Sequence, residues 1–285
     1  MLKTLNYLSF PGGLENAYPL DQAIRDARNL GFQGLELCVG DSGVLTLNAT
    51  EDECRAIAAS AKDEGLELPS LCSGLYWERS LGDSEPAKRE RAGNDIRRML
   101  DIARWLGAKT LLVIPGAVDV FFLPDREPQS YDEVWKRAAE GLRELAGDAE
   151  RAGVRIGIEN VWNKFLLSPI EMLHFLDECD SEWTGAYLDV GNVLLYGYPE
   201  QWIRILGDRL VGVHFKDFRR SVGTVEGFVD LLEGDVDWPA VVSALREVGY
   251  TGHVAAEMIP GYRHHPMRRI AAASAAMDAI LATPA

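Results

Sequence analysis

The chain has 285 residues, 47% of them apolar, which is enough to close one large core. It carries 29 basic against 44 acidic residues, and the formal charge of −15 excludes a nucleic-acid backbone as the main partner. A small anionic ligand stays open, since it needs only a local basic pocket. Cys38, Cys54, Cys72 and Cys179 are too scattered for a disulfide framework and form no C-x-x-C pair. No apolar run reaches the roughly 18 residues of a membrane span, and "MLKTLNYLSFPGG" is not built as a signal peptide. A soluble protein in a reducing cytoplasm, with no membrane partner, is expected.

In chain order, short aliphatic or β-branched runs predict strands at 2–10, 34–39, 66–73, 109–116, 154–161, 185–192, 210–217 and 252–259. Helical patterns lie between them, among them "PLDQAIRDARNLGF", "EDECRAIAASAKDEGL", "AKRERAGNDIRRMLDIARWLGA" and "VWKRAAEGLRELAGDAERAGV". One local device recurs at the junctions. Gly31, Gly65, Gly107, Gly153 and Gly249 each stand where a helix should end just before the next strand, a place suited to a left-handed cap. Eight strands alternating with eight helices predict an α/β fold, a (β/α)8 TIM barrel forming a single domain over residues 1–285. No G-x-G-x-x-G follows the first strand, which removes the usual dinucleotide-binding reading.

In such a barrel the chemistry sits at the C-terminal strand ends. Four consecutive strands there deliver one ligand-type side chain each: Glu159 in "IGIENV", Asp189 in "AYLDVGN", His214 in "VGVHFKD" and Glu257 in "VAAEMIP". A single strand-end histidine is more often a hydrogen-bonded core residue, and a single carboxylate more often a helix cap or a rim charge. Four at one depth reverse that balance. Three carboxylates with one imidazole form a hard, oxygen-rich donor set, suited to one divalent ion. Mn²⁺ is expected first, with Mg²⁺, Co²⁺ or Zn²⁺ as substitutes. The ion would also relieve the repulsion and desolvation of three buried carboxylates.

Other positions are weaker candidates. Lys216, two residues past His214, shares its face and either neutralises the site or binds substrate. Glu36, in "GLELCVG", is read either as a sugar-hydroxyl ligand or as a rim charge. Trp77, Trp162 and Tyr187 are candidates for an apolar wall, although plain packing explains aromatics equally well. Arg219, Arg220, Arg263, His264 and His265 crowd the last two strand-end loops, where barrels often hold phosphate.

The stretches "IEN", "LDVGN", "VHFKD" and "AAEM" resemble the strand-end motifs of the sugar phosphate isomerase/epimerase superfamily, the xylose isomerase-like TIM barrels. "LPSLCSG" and "LLVIPGAVDVFF" bring the chain nearest to the L-ribulose/L-xylulose 5-phosphate 3-epimerases and the ketose 3-epimerases. The resemblance runs from near the N-terminus to about Met258. It implies Glu159, Asp189, His214 and Glu257 as metal ligands, Glu159 and Glu257 as the acid/base pair, and Arg220 as a contact to substrate oxygens. The free-sugar epimerases place a substrate-binding histidine where this chain has Asn192, whereas the phosphate-using relatives share "DVGN". The implied partner is a small sugar or sugar phosphate, and homo-oligomers are common in the family.

The implied activity is a metal-dependent sugar isomerase or epimerase working through a cis-enediolate, a ketose or ketose-phosphate 3-epimerase first. The metal would chelate a ketone oxygen and a neighbouring hydroxyl, while one glutamate on each face moves the proton. A metal-dependent lyase of the inosose or dehydroshikimate dehydratase type begins with the same proton removal and stays open. So does an inactive barrel that only binds a sugar or a partner, although both glutamates are retained. A DNA-repair endonuclease of this fold needs several additional histidines, whereas this chain, with 5 in all, has none in "LCSG" or "LVIPG" at the ends of the third and fourth strands and Asn192 at another such position.

Overall fold

The computed structural model describes residues 1–284. Seven parallel strands come first: β1 (Leu2–Asn6), β2 (Gly34–Val39), β3 (Ser70–Ser73), β4 (Thr110–Val113), β5 (Arg155–Glu159), β6 (Thr184–Asp189) and β7 (Leu210–Phe215). A hairpin of β8 (Asp217–Phe218) and β9 (Phe228–Val229) follows, and β10 (His253–Ala256) closes the barrel between β7 and β1. The strand order around the closed barrel is β1-β10-β7-β6-β5-β4-β3-β2, as a (β/α)8 fold requires.

The outer layer consists of α1 (Leu20–Asn29), α2 (Glu51–Asp63), α3 (Pro86–Leu106), α4 (Tyr131–Ala152), α5 (Pro169–Glu178), the single turn α6 (Val190–Val193), α7 (Pro199–Leu206), α8 (Trp238–Glu247) and α9 (Met267–Leu281). The helix ends follow local chemistry. Thr50 and Glu53 form a capping box on α2, and Ser168 and Asp237 cap α5 and α8. Gly107 (φ 82°) and Gly153 (φ 65°) end α3 and α4 in the left-handed conformation, and each N–H reaches back to carbonyls of the last turn. Among the described residues no helix is long and apolar enough to cross a membrane.

Two additions break the expected one-to-one alternation. Asp189 caps α6 directly at the end of β6, because its Oδ1 accepts the Asn192 N–H at 2.8 Å. The hairpin after β7 is organised by Asp217. Its carboxylate accepts the N–H groups of Phe218 (2.9 Å), Leu232 (3.0 Å) and Val236 (3.2 Å) and the Trp238 indole N–H (3.0 Å). One buried side chain thereby substitutes for the ladder partners that residues 230–238 lack.

Asp217→Ala strands those buried donors, each worth about 1–3 kcal/mol when unpaired and inaccessible to water. The variant is expected to lose on the order of 3 kcal/mol in urea unfolding. A loss below about 0.5 kcal/mol, the usual range for a surface change, would contradict this role.

Candidate active site

Glu159 ends β5, Asp189 ends β6, His214 is the penultimate residue of β7, and Glu257 follows β10. Asp189 and His214 are register partners across β6 and β7. One ligand atom from each of the four lies within 4.8 Å of the others, and all four residues are buried. The sequence-predicted set is therefore assembled at one barrel mouth.

The geometry assigns each donor atom. His214 directs Nδ1 into the cluster, 3.0 Å from Glu159 Oε1, 3.9 Å from Glu257 Oε2 and 4.0 Å from Asp189 Oδ2. Its Nε2 lies 2.7 Å from Glu36 Oε1. Asp189 spends Oδ1 on the α6 cap, which leaves Oδ2 buried without a hydrogen-bond partner. Lys216 Nζ stands 3.0 Å from that oxygen, off the hydrogen-bonding direction, and also pairs with Glu257. Asn160 braces the ligand from behind: its Oδ1 accepts the Asp189 N–H at 2.8 Å and its Nδ2 donates to the Asp189 carbonyl at 3.0 Å. The orphaned Asp189 oxygen, the inward Nδ1 and two further carboxylates fit one divalent ion.

The cluster is held by a polar layer beneath it. Glu36 is fully buried and accepts from Asn6 (2.6 Å), Ser70 (2.5 Å) and Tyr187 (2.6 Å) as well as facing His214. Tyr187 fits there because Gly157 and Gly212 pack against its ring, where a Cβ at either position would press into it. Burial pushes the Glu36 carboxyl up, but His214, His253 and Ser70 outweigh it and hold it at about 2. An ionised Glu36 at Nε2 favours a proton on that nitrogen, which would leave Nδ1 as the atom to hold an ion once one binds.

The two glutamates diverge. Burial raises Glu159 to about 7, with Glu257 and Asp189 adding to the rise against His214. Burial also acts upward on Glu257, but Lys216 and His214 outweigh it and hold this carboxyl below its usual range. Burial disfavours the charged forms of His214 and Lys216, yet the surrounding carboxylates prevail and raise both.

A cavity of about 530 Å³ opens over the cluster, lined by Glu159, His214, Lys216, Glu257 and Asn192 on its polar side. Trp77, Phe122, Trp162 and Phe228 supply its aromatic wall. Trp77 and Trp162 are therefore where the sequence reading put them. Asn192 is also at the cleft, but its Nδ2 donates to the Asn160 carbonyl at 3.0 Å.

Several expected contacts lie elsewhere. Glu36 is neither a sugar ligand nor a rim charge; it sits under His214 with its oxygens in use. Tyr187 lies in the same lower layer and does not line the cleft. Arg220 is exposed on the hairpin loop, with its guanidinium 4.8 Å from the Tyr198 ring centre and its backbone N–H bonded to Asp235. Arg219 leans on Glu233 at 3.6 Å, and Arg263, His264 and His265 are exposed outside the cleft. Asn160 and Asp217 were missed as positioning residues, although both stand inside the motifs "IEN" and "FKD".

With the geometry established, comparison with known proteins places the chain. The model of the xylose isomerase-like TIM barrel family matches residues 24–280. The chain belongs to this family. Among its relatives, the L-ribulose-5-phosphate 3-epimerase UlaE of Salmonella paratyphi C is 25% identical over 269 residues, covering 92% of this chain and 91% of that protein. A D-psicose 3-epimerase crystallised in the presence of D-fructose superposes with a TM-score of 0.80 at 19% identity, over 99% of both chains. The IolI protein, crystallised with a zinc atom, gives 0.78 at 16% identity over 99% of this chain and 98% of its own. These structural likenesses carry the xylose isomerase-like fold.

Two measurements check the layered site. In titrations with Mn²⁺, His214→Ala is expected to lose most of the affinity, and Glu36→Gln about ten- to a hundred-fold, since it removes the charge orienting the imidazole. Unchanged affinity in Glu36→Gln would refute the orienting role. The second concerns His253, which lies 2.9 Å from the Tyr187 hydroxyl and is held at about 4 because burial disfavours its cation. An imidazole lowered on folding contributes stability in full above its ordinary value near 6.5 and loses it as pH falls toward 4. The expected loss across that window is on the order of 3 kcal/mol. His253→Asn should flatten this part of the stability–pH curve relative to the parent protein, and an unaltered slope would contradict it.

Proposed function

We propose that this chain is a divalent-metal-dependent sugar epimerase, a ketose or ketose-phosphate 3-epimerase, with Glu159 and Glu257 as its acid/base pair and Mn²⁺ as its preferred ion. The observation that carries the reading is the buried cluster of Glu159, Asp189, His214 and Glu257, with ligand atoms within 4.8 Å of one another under a sugar-sized cleft. Family membership and the named activities of the epimerase relatives support it.

A bound divalent ion would supply Lewis-acid polarisation of a carbonyl next to the carbon that loses its proton. The chain's own groups do the rest. Glu159 and Glu257 come from β5 and β10, the strands that flank the Asp189–His214 pair on either side. They can therefore address one substrate carbon from two directions. Removal on one face and return on the opposite face inverts the carbon through an enediolate. Lys216, against Asp189 and Glu257, offsets the charge of the carboxylates. Trp77 and Trp162 exclude water and offer flat faces to the sugar's C–H edges.

Substrate incubated with the metal-loaded enzyme in D₂O is expected to gain deuterium at C3 of a ketose. Exchange at C1 would mark an aldose–ketose isomerase, and loss of water a lyase. Glu159→Gln and Glu257→Gln are each expected to lower turnover by about 10²–10⁴-fold, the usual worth of a positioned acid or base. Near-normal epimerisation by either variant would sink the two-glutamate assignment.

A further inference from the structure

The cleft does not end at its aromatic wall. A second cavity, of about 660 Å³, opens beside it, and Phe121, Val161, Trp162 and Val225 line both. Its remaining walls include Leu167, Leu195 and Tyr196, which stand 44%, 44% and 38% exposed, next to Phe121 at 55%. Large apolar groups gathered in water at the edge of a polar site mark a surface built to be covered. The cations are already engaged. Among the described residues lining the two cavities, Lys216 and Lys164 are the only ammonium or guanidinium groups. Lys216 is paired with Asp189 and Glu257, and Lys164 lies 2.6 Å from Asp119.

From this we infer that the substrate is a ketone-bearing carbohydrate whose far end carries an apolar substituent in place of a phosphate. The inference rests on the epimerase reading and names its substrate class. The carbohydrate part lies over Glu159, Asp189, His214 and Glu257, and the substituent passes Trp162 into the second cavity. Proton removal needs a free carbonyl, so the substituent sits on an oxygen remote from the ketone and its neighbouring carbons. An aromatic group there meets the edges of Phe121 and Trp162, whose own rings stand 6.4 Å apart. A phosphate dianion at the same place would meet apolar carbon and the carboxylates of Asp119 and Glu226, with Lys164, itself paired with Asp119 at the surface, as the single cation on that lining.

The test uses matched sets of probes on the metal-loaded protein: L-ribulose and D-fructose, each as the free ketose, the terminal phosphate and the terminal benzyl ether. Deuterium exchange at carbon from D₂O gives kcat/KM for every probe. The benzyl ether is expected to exceed the free ketose by about ten- to a hundred-fold through a lower KM, the usual worth of burying such a group. The phosphate is expected to fall below the free ketose. Leu195→Asp, which places a charge in the second cavity alone, should collapse the ratio of benzyl ether to free ketose toward one. Preference for the phosphate, or no gain for the benzyl ether, overturns the inference while leaving the epimerase reading intact. A dimer whose partner covers Leu195 and Tyr196 would likewise abolish the gain and overturn it. Exchange with none of the probes removes both.

Discussion

Three carboxylates and an imidazole converge within 4.8 Å in a site that water scarcely reaches, and this charge crowding dictates most of what surrounds it. Desolvation alone would protonate the carboxylates or drive them apart. The barrel prevents the second outcome, because each ligand is fixed at the end of a strand that is bonded on both sides. The first is countered at Glu257, where Lys216 and His214 outweigh burial, and persists at Glu159, which burial keeps raised. Glu36 completes the arrangement, since an ionised carboxylate under His214 Nε2 decides which imidazole nitrogen faces the cluster. A divalent ion at the orphaned Asp189 oxygen would satisfy every one of these groups together.

The four-residue cluster was legible because it interrupts a pattern. In "VGVHFKD" a histidine stands among buried apolar neighbours, and the same interruption recurs at the ends of β5, β6 and β10. Strand periodicity reports which face a side chain takes, and four coincidences of face and strand end left little freedom. The fold was legible for a related reason, since glycines at positive φ (Gly31, Gly65, Gly107, Gly153 and Gly249) mark five of the returns from helix to strand. Depth was harder to read. Glu36 and Tyr187 take the inward face as expected, yet they stand one layer below the ligands, because depth depends on the stagger between neighbouring strands and periodicity carries no information on it.

Arg220 illustrates a different limit. Six residues separate it from His214, but β7 ends at Phe215 and the chain then enters the β8–β9 hairpin. Beyond a strand's last ladder bond, spacing along the sequence no longer fixes direction in space. Asp217 sets that direction instead, through four hydrogen bonds to the returning loop. The basic cluster that suggested a phosphate site is dispersed by the same geometry, with Arg219 on Glu233 and Arg220 over Tyr198.

The placement of Trp162 connects the chemistry to the choice of substrate. It lies three residues beyond the ligand Glu159, and its indole N–H donates to the carbonyl of Asn192 at 3.0 Å. Asn192 in turn lies three residues beyond the ligand Asp189, whose Oδ1 accepts its N–H, while Asn160 ties the two segments together between them. The wall that divides the two cavities is thus hydrogen-bonded to the same short segments that supply the ligands. The second cavity beyond it is lined by residues outside the barrel strands, such as Phe121, Leu195 and Val225, which can change without moving the four clustered side chains. On the proposed reading, proton chemistry falls to the strand ends and their braces, and recognition of the substrate's distal end falls to side chains that the cluster's geometry does not constrain.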